Sequence, residues 1–161
     1  MGNYTEQYTD VIDRTGWLPG PWDDEPDKLV WTDTATGLPC MIKRNHMGFL
    51  CGYVGVGQDH DLFGRSYDSV EDFAVHGGLT FASLCDDEGE PAIAICHLGE
   101  ETVWWFGFDC CHYDDAYPYQ AVIDEITGVN LSKYGTYKTV EFVRDECTEL
   151  AWALAPKALH S

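Results

Sequence analysis

Three side chains of types that bind metals or transfer protons follow one apolar run of the sequence. Asp109, His112 and Asp115 stand three residues apart, directly after "VWWFGF" at residues 103–108. Two carboxylates and an imidazole suit a divalent metal ion, and they also suit general acid–base catalysis. In a tight loop they converge, whereas on a continued strand Asp109 and His112 point to opposite faces. The pattern predicts a candidate metal site, with a solvated acidic loop as the alternative.

A second stretch, "VHGGLT" at residues 75–80, places a titratable imidazole beside two glycines. His76 is of the residue type that changes charge near neutral pH, and glycine backbone can aim amide N–H groups at an anion. His76 and His112 are therefore the candidate catalytic residues. His76, Gly77 and Gly78 are also candidate ligand contacts. A turn that leads into the next strand is the alternative interpretation.

Four further residues complete the predicted ligand contacts. Arg44 follows an apolar run and suits a clamp for a carboxylate or phosphate, with a surface salt bridge as the alternative. His60 lies in a long loop-rich segment of the kind that often carries function. Trp105 offers a ring for stacking, and Asp109 offers a carboxylate. Gly107, which has no side chain, allows close approach by a ligand or by a neighbouring ring.

The thiols and the known catalytic motifs give no enzymatic signature. The chain has 7 cysteines, an odd count, and most lie in apolar runs typical of reduced core thiols. Cys110 or Cys111 could act as a nucleophile, but a cysteine at the end of an aromatic strand is more typical of a core. Phosphate-loop, dinucleotide, H-E-x-x-H and G-x-S-x-G patterns are absent from the sequence. The sequence therefore favours binding over catalysis.

The overall composition narrows the class of partner. The 161 residues carry 28 acidic and 9 basic side chains, a net charge of −19, which disfavours contact with a nucleic-acid backbone. Such a surface can instead imitate nucleic acid and occupy a basic partner, and the alternative is that the acidity reflects an acidic proteome or a high-salt habitat. No apolar run approaches the roughly 20 residues of a membrane span, and the N-terminus lacks a secretory pattern. We expect no membrane contact and a cytoplasmic location.

The order of patterns predicts an α+β fold. Residues 1–27 are polar and rich in proline, which predicts an irregular N-terminal arm before a single domain over residues 28–161. A three-stranded antiparallel meander is expected over 28–56, and further strands over 79–84, 92–96 and 102–109. A short helix is expected near 120–126. The last apolar residues recur at helical spacing and predict a C-terminal amphipathic helix. They are Val140, Val143, Cys147, Leu150, Ala151 and Leu154. We expect this helix to pack on one face of a mostly antiparallel sheet of five to seven strands.

Five stretches carry a resemblance to a known family. "GLPCMIKRN", "LCGYVGV", "VHGGLTF", "WWFGFDCCH" and "YKTVEFVRDECTELAWAL" stand in this order between residues 37 and 154. Together they resemble an uncharacterised family of small proteins from bacteriophages, prophages and bacteria. The resemblance implies a phage accessory role, often directed against host defences. Cys111 stands where that family is expected to have a small residue. The polar positions that match are Arg44, His60, His76, Asp109, His112 and Asp115.

Three functions follow as alternatives. The first is anti-defence binding or sequestration of a small polar, nucleotide-like ligand in a pocket of aromatic, histidine and aspartate side chains. The second is a metal-dependent hydrolase of a phosphate or nucleotide substrate. The third is an acidic mimic of nucleic acid that inhibits a host defence protein such as a CRISPR effector. A homodimer is also expected from apolar residues near the sheet edge.

Overall fold

The alternating apolar runs between residues 28 and 56 form the predicted meander. The computed structural model describes residues 4–9, 11–17, 19–70, 73, 75–84, 102–111, 115–128 and 136–155. Strands β2 (Lys28–Thr32), β3 (Pro39–Arg44) and β4 (Leu50–Val56) pair antiparallel in sequence order. The turn at Asp33–Gly37 closes the first hairpin, where the Asp33 carboxylate accepts the Thr36 amide at 3.0 Å. A side-chain hydrogen bond thus stabilises this turn in addition to the backbone hydrogen bonds.

Three more strands extend the meander on both sides. Strand β6 (Trp104–Asp109) pairs with β4, and β5 (Phe81–Leu84) pairs with β6 at one edge. Strand β1 (Tyr4–Tyr8) pairs with β2 at the other edge. The sheet order is β1-β2-β3-β4-β6-β5, and all of its pairs are antiparallel. The predicted strand over 92–96 lies outside the described residues.

The prediction of an irregular arm over residues 1–27 is wrong at its start. The polar stretch "YTEQY" forms β1 because it completes the hydrogen bonding of β2. Further along, the amides of Val11 and Ile12 both donate to the Asp27 carboxylate, at 2.8 and 3.0 Å. Residues 21–24 form a 3-10 turn. The segment is therefore held to the domain by backbone hydrogen bonds, which a hydrophobic pattern does not reveal.

The sheet has an apolar layer on each face. Along β6, Phe106 and Phe108 lie on the face that the C-terminal helix covers, whereas Trp105 lies in a second cluster with Met41 and Tyr53. All five side chains are buried, as expected for a central strand covered on both sides. Side chains along the run "VWWFGF" therefore alternate between the two faces of the sheet.

The C-terminal stripe forms helix α2 (Val140–Leu154), which packs on β3 and β4. All six predicted stripe residues are buried. The helix begins after Thr139, whose side chain accepts the Phe142 amide at 3.2 Å as the N-cap. A shorter helix, α1 (Gln120–Thr127), ends at Gly128. The α+β class, with an antiparallel sheet and a C-terminal helix on one face, is confirmed.

Two short strands complete the described elements. Strands β7 (Asp115–Ala116) and β8 (Thr136–Tyr137) pair in parallel beside the N-terminus of α2. Among the helices of the described residues, none combines the length and apolar character that a bilayer crossing requires.

Candidate functional site

The two stretches that the sequence singles out meet at one ion cluster. His76 Nε2 lies 2.9 and 2.8 Å from the two carboxylate oxygens of Asp115. Lys138 Nζ lies 3.0 Å from Asp115 Oδ1, on the other side of the same carboxylate. The Asp115 side chain is fully buried, and those of His76 and Lys138 are 15% and 13% exposed. Asp115 therefore links the turn that contains His76 to Lys138, which lies just before α2.

Local structure explains why these groups converge. Pairing of β7 with β8 places Asp115 opposite Thr136, two residues before Lys138. The His76 ring meets the Phe142 ring edge-on, with centroids 5.2 Å apart. After His76 the chain turns through Gly77 and Gly78, both with positive φ. This turn favours glycine because other residues rarely adopt that conformation.

An aspartate that holds a histidine ring matches the arrangement of hydrolytic triads only in part. In those enzymes the carboxylate orients the imidazole, which then activates a hydroxyl or thiol nucleophile. Here the same carboxylate also binds Lys138, so the cluster is a buried salt bridge network as well as an imidazole support. Among its described residues, this cluster contains no hydroxyl or thiol that the imidazole could activate as a nucleophile.

Asp109, the other described acid of the predicted metal site, has hydrogen-bond partners of its own. Asp109 accepts the Thr80 hydroxyl at 3.1 Å and the Cys111 amide at 3.1 Å, so its carboxylate closes the turn after β6. His112 lies outside the described residues. Within the described ranges, no group of three or more His, Cys, Asp or Glu side chains is placed to hold a metal ion. The metal site and the role of His112 stay predictions.

Arg44 forms a second, more deeply buried cluster that the sequence did not reveal. Its Nε donates to Asp27 Oδ1 at 2.9 Å, and its Nη1 donates to the Tyr137 hydroxyl at 2.8 Å. Arg14 donates to the same Asp27 oxygen at 2.5 Å, while Glu25 accepts both the Arg44 Nη2 and the Tyr137 hydroxyl. The sequence offers one signal for this cluster, which is the acidic stretch "WDDEPDK" at residues 22–28 in a chain that has few basic residues.

This cluster also fixes the start of α2. Glu25 Oε2 accepts the Val140 amide at 2.8 Å, so a carboxylate sits at the positive end of the helix dipole. Burial opposes ionisation of Asp27, yet the amide of Ile12, the guanidinium of Arg14 and the amide of Val11 outweigh it and lower the pKa of that carboxyl. The network therefore joins the N-terminal segment, β3 and α2 electrostatically.

Three predicted ligand contacts are corrected by their positions. Arg44 is 1% exposed and bound to Asp27, so it is not a clamp for an external anion. Trp105 is fully buried in the second core layer, which removes it as a stacking platform. Both nitrogens of the His60 ring are engaged by the chain, with the Leu62 amide at 3.0 Å and the Leu154 carbonyl at 2.6 Å. His60 thus supports the end of α2.

The space over Gly107 is filled by a ring of the protein. A Cβ built at Gly107 would lie 2.5 Å from Tyr53 Cδ2. The Tyr53 ring in turn meets Phe81 edge-on, with centroids 5.4 Å apart. Of the two interpretations of this glycine, the neighbouring ring is correct.

The described thiols are poorly suited to nucleophilic catalysis. Burial raises the pKa of Cys40 and of Cys51 to about 12, and it raises the pKa of Cys110 as well. Burial, together with the charges of Asp109 and Asp115, also raises the pKa of the exposed Cys111. Since the thiolate is the reactive form, these side chains are protonated and slow to react at neutral pH.

Two open cavities lie outside both ion clusters. One of about 370 Å³ follows the glycine turn and is lined by Tyr67, Asp68, Val70, Phe73, Gly77, Gly78 and Leu79. These described lining residues include a carboxylate but no basic side chain. The other, of about 210 Å³, lies between the β2–β3 hairpin and α2. Neither lining favours a phosphate group.

The surface is more acidic than the composition suggests. Four of the 9 basic residues make internal contacts: Arg14, Lys28, Arg44 and Lys138. In the described part of the chain, Arg65 is the one exposed lysine or arginine. Ten acidic residues of the same part are exposed: Asp13, Asp23, Asp24, Asp59, Asp61, Asp68, Glu125, Glu141, Asp145 and Glu149.

Comparison with protein-family models, with curated proteins and with solved structures gives no match for this chain.

Proposed function

We propose that this chain is a non-catalytic binding protein whose acidic surface occupies the nucleic-acid site of a basic protein. The partner class is a nucleic-acid-binding host defence protein, and the biological setting is that of a phage accessory protein. The observation that carries the proposal is the contrast on the described surface between ten exposed acids and the single exposed arginine, Arg65. Spread negative charge of this kind presents to a basic groove the potential that a nucleic-acid backbone presents.

The use of the basic residues supports this interpretation. An acidic protein adapted only for solubility can leave its few cations at the surface. Here Arg44 and Lys28 are each 1% exposed, and Arg14 and Lys138 bind buried carboxylates. Because these cations contact groups inside the molecule, they offset little of the negative charge on its described surface. The potential of that charge steers a basic partner and weakens as salt screens it.

The candidate catalytic groups fit a binding role better than turnover. Asp115 shares its carboxylate between His76 and Lys138, and the described thiols have raised pKa values. The described linings of both cavities lack basic side chains that would hold a phosphate substrate. These features support inhibition by occupation rather than hydrolysis.

A DNA-displacement assay tests the proposal. The purified chain is added to a panel of bacterial defence nucleases and CRISPR effectors, and target DNA binding is measured by fluorescence anisotropy over a salt series. We expect at least one effector to release its DNA, with inhibition that falls steeply as salt rises. Retention of DNA by every effector at low salt contradicts the proposal, and so does inhibition that does not change with salt concentration.

A charge variant provides the matched control. Glu141→Gln, Asp145→Asn and Glu149→Gln together remove three exposed charges from α2 while they preserve side-chain size. Inhibition by this triple variant is expected to be weaker and less dependent on salt. Equal inhibition by the variant and the parent protein would show that α2 does not face the partner.

A second candidate function is supported by the larger cavity. Its volume of about 370 Å³ lies within the roughly 300–1,000 Å³ of small-molecule sites, and Tyr67, Phe73 and Asp68 line it. This lining suits a neutral or cationic ring more than the nucleotide that the sequence suggests. Native mass spectrometry of the protein purified from cells tests this function, because a retained molecule adds its mass. The same spectrum reports bound metal and the expected homodimer.

A further inference from the structure

The smaller cavity brings an exposed tryptophan and two carboxylates to one place on the acidic surface. It measures about 210 Å³ and is lined by Asp33, Ala35, Thr36, Thr148, Glu149 and Trp152. This volume is below the roughly 300 Å³ at which small-molecule sites begin, so it suits one protruding side chain better than a free ligand.

The lining has the chemistry of a cation site. The Trp152 side chain is 45% exposed on the outer flank of α2, and an indole is the aromatic ring that best attracts a cation. Glu149 lies one helical turn before Trp152 and is exposed. Asp33, a buried acid, also lines the cavity. The negative charges of Glu149 and Asp33 favour a cationic group in this cavity, where the indole ring also attracts a cation.

The cavity is held by regular structure on both sides. Trp152 and Glu149 belong to α2, whose inner face is buried against the sheet. Asp33 belongs to the turn between β2 and β3, and its Oδ2 accepts the amide and the hydroxyl of Thr36 at 3.0 and 2.7 Å. A site on such elements loses little conformational freedom on binding, which favours affinity.

We propose that this cavity receives an arginine side chain of the basic partner protein. The inference rests on the proposed function, since it names the residue type by which the partner anchors itself. Arginine fits better than lysine because its planar guanidinium stacks on an indole and bonds a carboxylate through two N–H groups at once. Tryptophan and arginine are also the residues that most often dominate the energy of protein interfaces.

The test uses the intact protein and a peptide with a single arginine. Acetyl-Gly-Arg-Gly-amide is titrated into isotope-labelled protein, and the amide and indole N–H signals are followed by NMR. We expect saturable shifts at Thr36, Glu149 and the indole of Trp152, and roughly fivefold weaker binding for Trp152→Ala or Glu149→Gln. Glu125→Gln, an exposed residue of α1, makes the same charge change and should leave the affinity unchanged.

A peptide with neutral citrulline in place of arginine should produce no saturable shift at the cavity. Shifts that are scattered over the acidic surface, or equal binding of the citrulline peptide, overturn the inference. Failure of the proposed function is a separate result. If Trp152→Ala still displaces DNA from an effector as the parent does, the acidic surface acts without this anchor. If the parent displaces no DNA, the proposed function itself fails.

Discussion

His76 Nε2 lies 2.8 Å from Asp115 Oδ2, although the two residues are 39 positions apart in the chain. The contact joins the glycine turn to the short parallel strand pair that precedes α2. Because the Asp115 carboxylate is buried, the contact is shielded from solvent and from salt.

A double-mutant cycle measures that contact. His76→Ala, Asp115→Ala and the double variant should give a coupling free energy between about 0.5 and 3 kcal/mol in urea unfolding. The same cycle on Thr80 and Asp109, whose hydrogen bond is exposed, should give less than about 0.5 kcal/mol. Equal coupling for the two pairs would show that burial does not strengthen the His76 contact.

Asp27 should be the most sensitive acidic residue of the N-terminal segment. Asp27→Asn leaves the guanidinium groups of Arg14 and Arg44 without their shared carboxylate, so unfolding should require about 3–5 kcal/mol less free energy. Asp24→Asn makes the same chemical change at an exposed site and should cost less than about 0.5 kcal/mol. Chemical denaturation compares the two variants. A small loss for Asp27→Asn would contradict the importance of the network.

The pH dependence follows from the sign of the Asp27 shift. Its pKa is lowered in the folded state, so the stabilisation is complete above the unfolded value of about 3.9. It is lost as pH falls through the lower folded value. Parent protein should therefore lose stability below about pH 4 more steeply than Asp27→Asn does. Parallel acid profiles for the two proteins, measured by circular dichroism, would contradict this assignment.

The N-cap of α2 gives a smaller and more local prediction. Thr139→Ala removes the hydroxyl that accepts the Phe142 amide and should destabilise the protein by about 1 kcal/mol. Thr148→Ala, an exposed change within the same helix, should be neutral or slightly stabilising because alanine favours helix. Thermal unfolding distinguishes the two. Equal effects of the two substitutions would show that the Thr139 cap does not stabilise the helix.

Gly107 should not tolerate even one added carbon. Gly107→Ala places a Cβ 2.5 Å from the Tyr53 ring and should cost about 1–3 kcal/mol by overpacking. At Gly57 nothing lies within 4 Å of a built Cβ, so Gly57→Ala should change stability little. Denaturant midpoints report the difference. A neutral Gly107→Ala would mean that the ring moves aside at little cost.

Thiol labelling should separate the described cysteines. Cys111 is exposed and should react with N-ethylmaleimide in the folded protein, whereas Cys40, Cys110 and Cys147 should be protected until unfolding. Because the pKa of Cys111 is raised, its labelling rate should keep increasing as pH rises above the ordinary thiol value of about 8.5. Peptide mass spectrometry assigns each site. Rapid labelling of Cys110 at neutral pH would contradict its burial.

The sequence predicts the fold where its signal is hydrophobic periodicity. The β2–β4 meander, the alternation along β6 and the buried stripe of α2 all follow from apolar spacing. Strand β1 does not follow from such spacing, because "YTEQY" is polar and is held by hydrogen bonds at a sheet edge. Such bonds have no compositional signature.

The candidate site is predictable only in part, for a similar reason. Sequence motifs identify His76 and Asp115 separately, but their pairing depends on the parallel strands β7 and β8, which have two residues each. The cluster around Arg44 includes contacts between residues far apart in the chain, such as Glu25 and Tyr137, which are 112 positions apart. In a chain with few basic residues, each lysine or arginine is a good candidate for a binding site. The burial of its side chain then decides whether it contacts a ligand or forms an internal salt bridge.

The position of α2 along the chain has a consequence for biosynthesis. The strands whose apolar face it covers, β3 and β4, leave the ribosome well before residues 140–154 do. During that interval the nascent sheet presents uncovered aliphatic and aromatic side chains to chaperones and to other nascent chains. The dense negative charge of the same polypeptide keeps neighbouring copies apart while translation completes the helix.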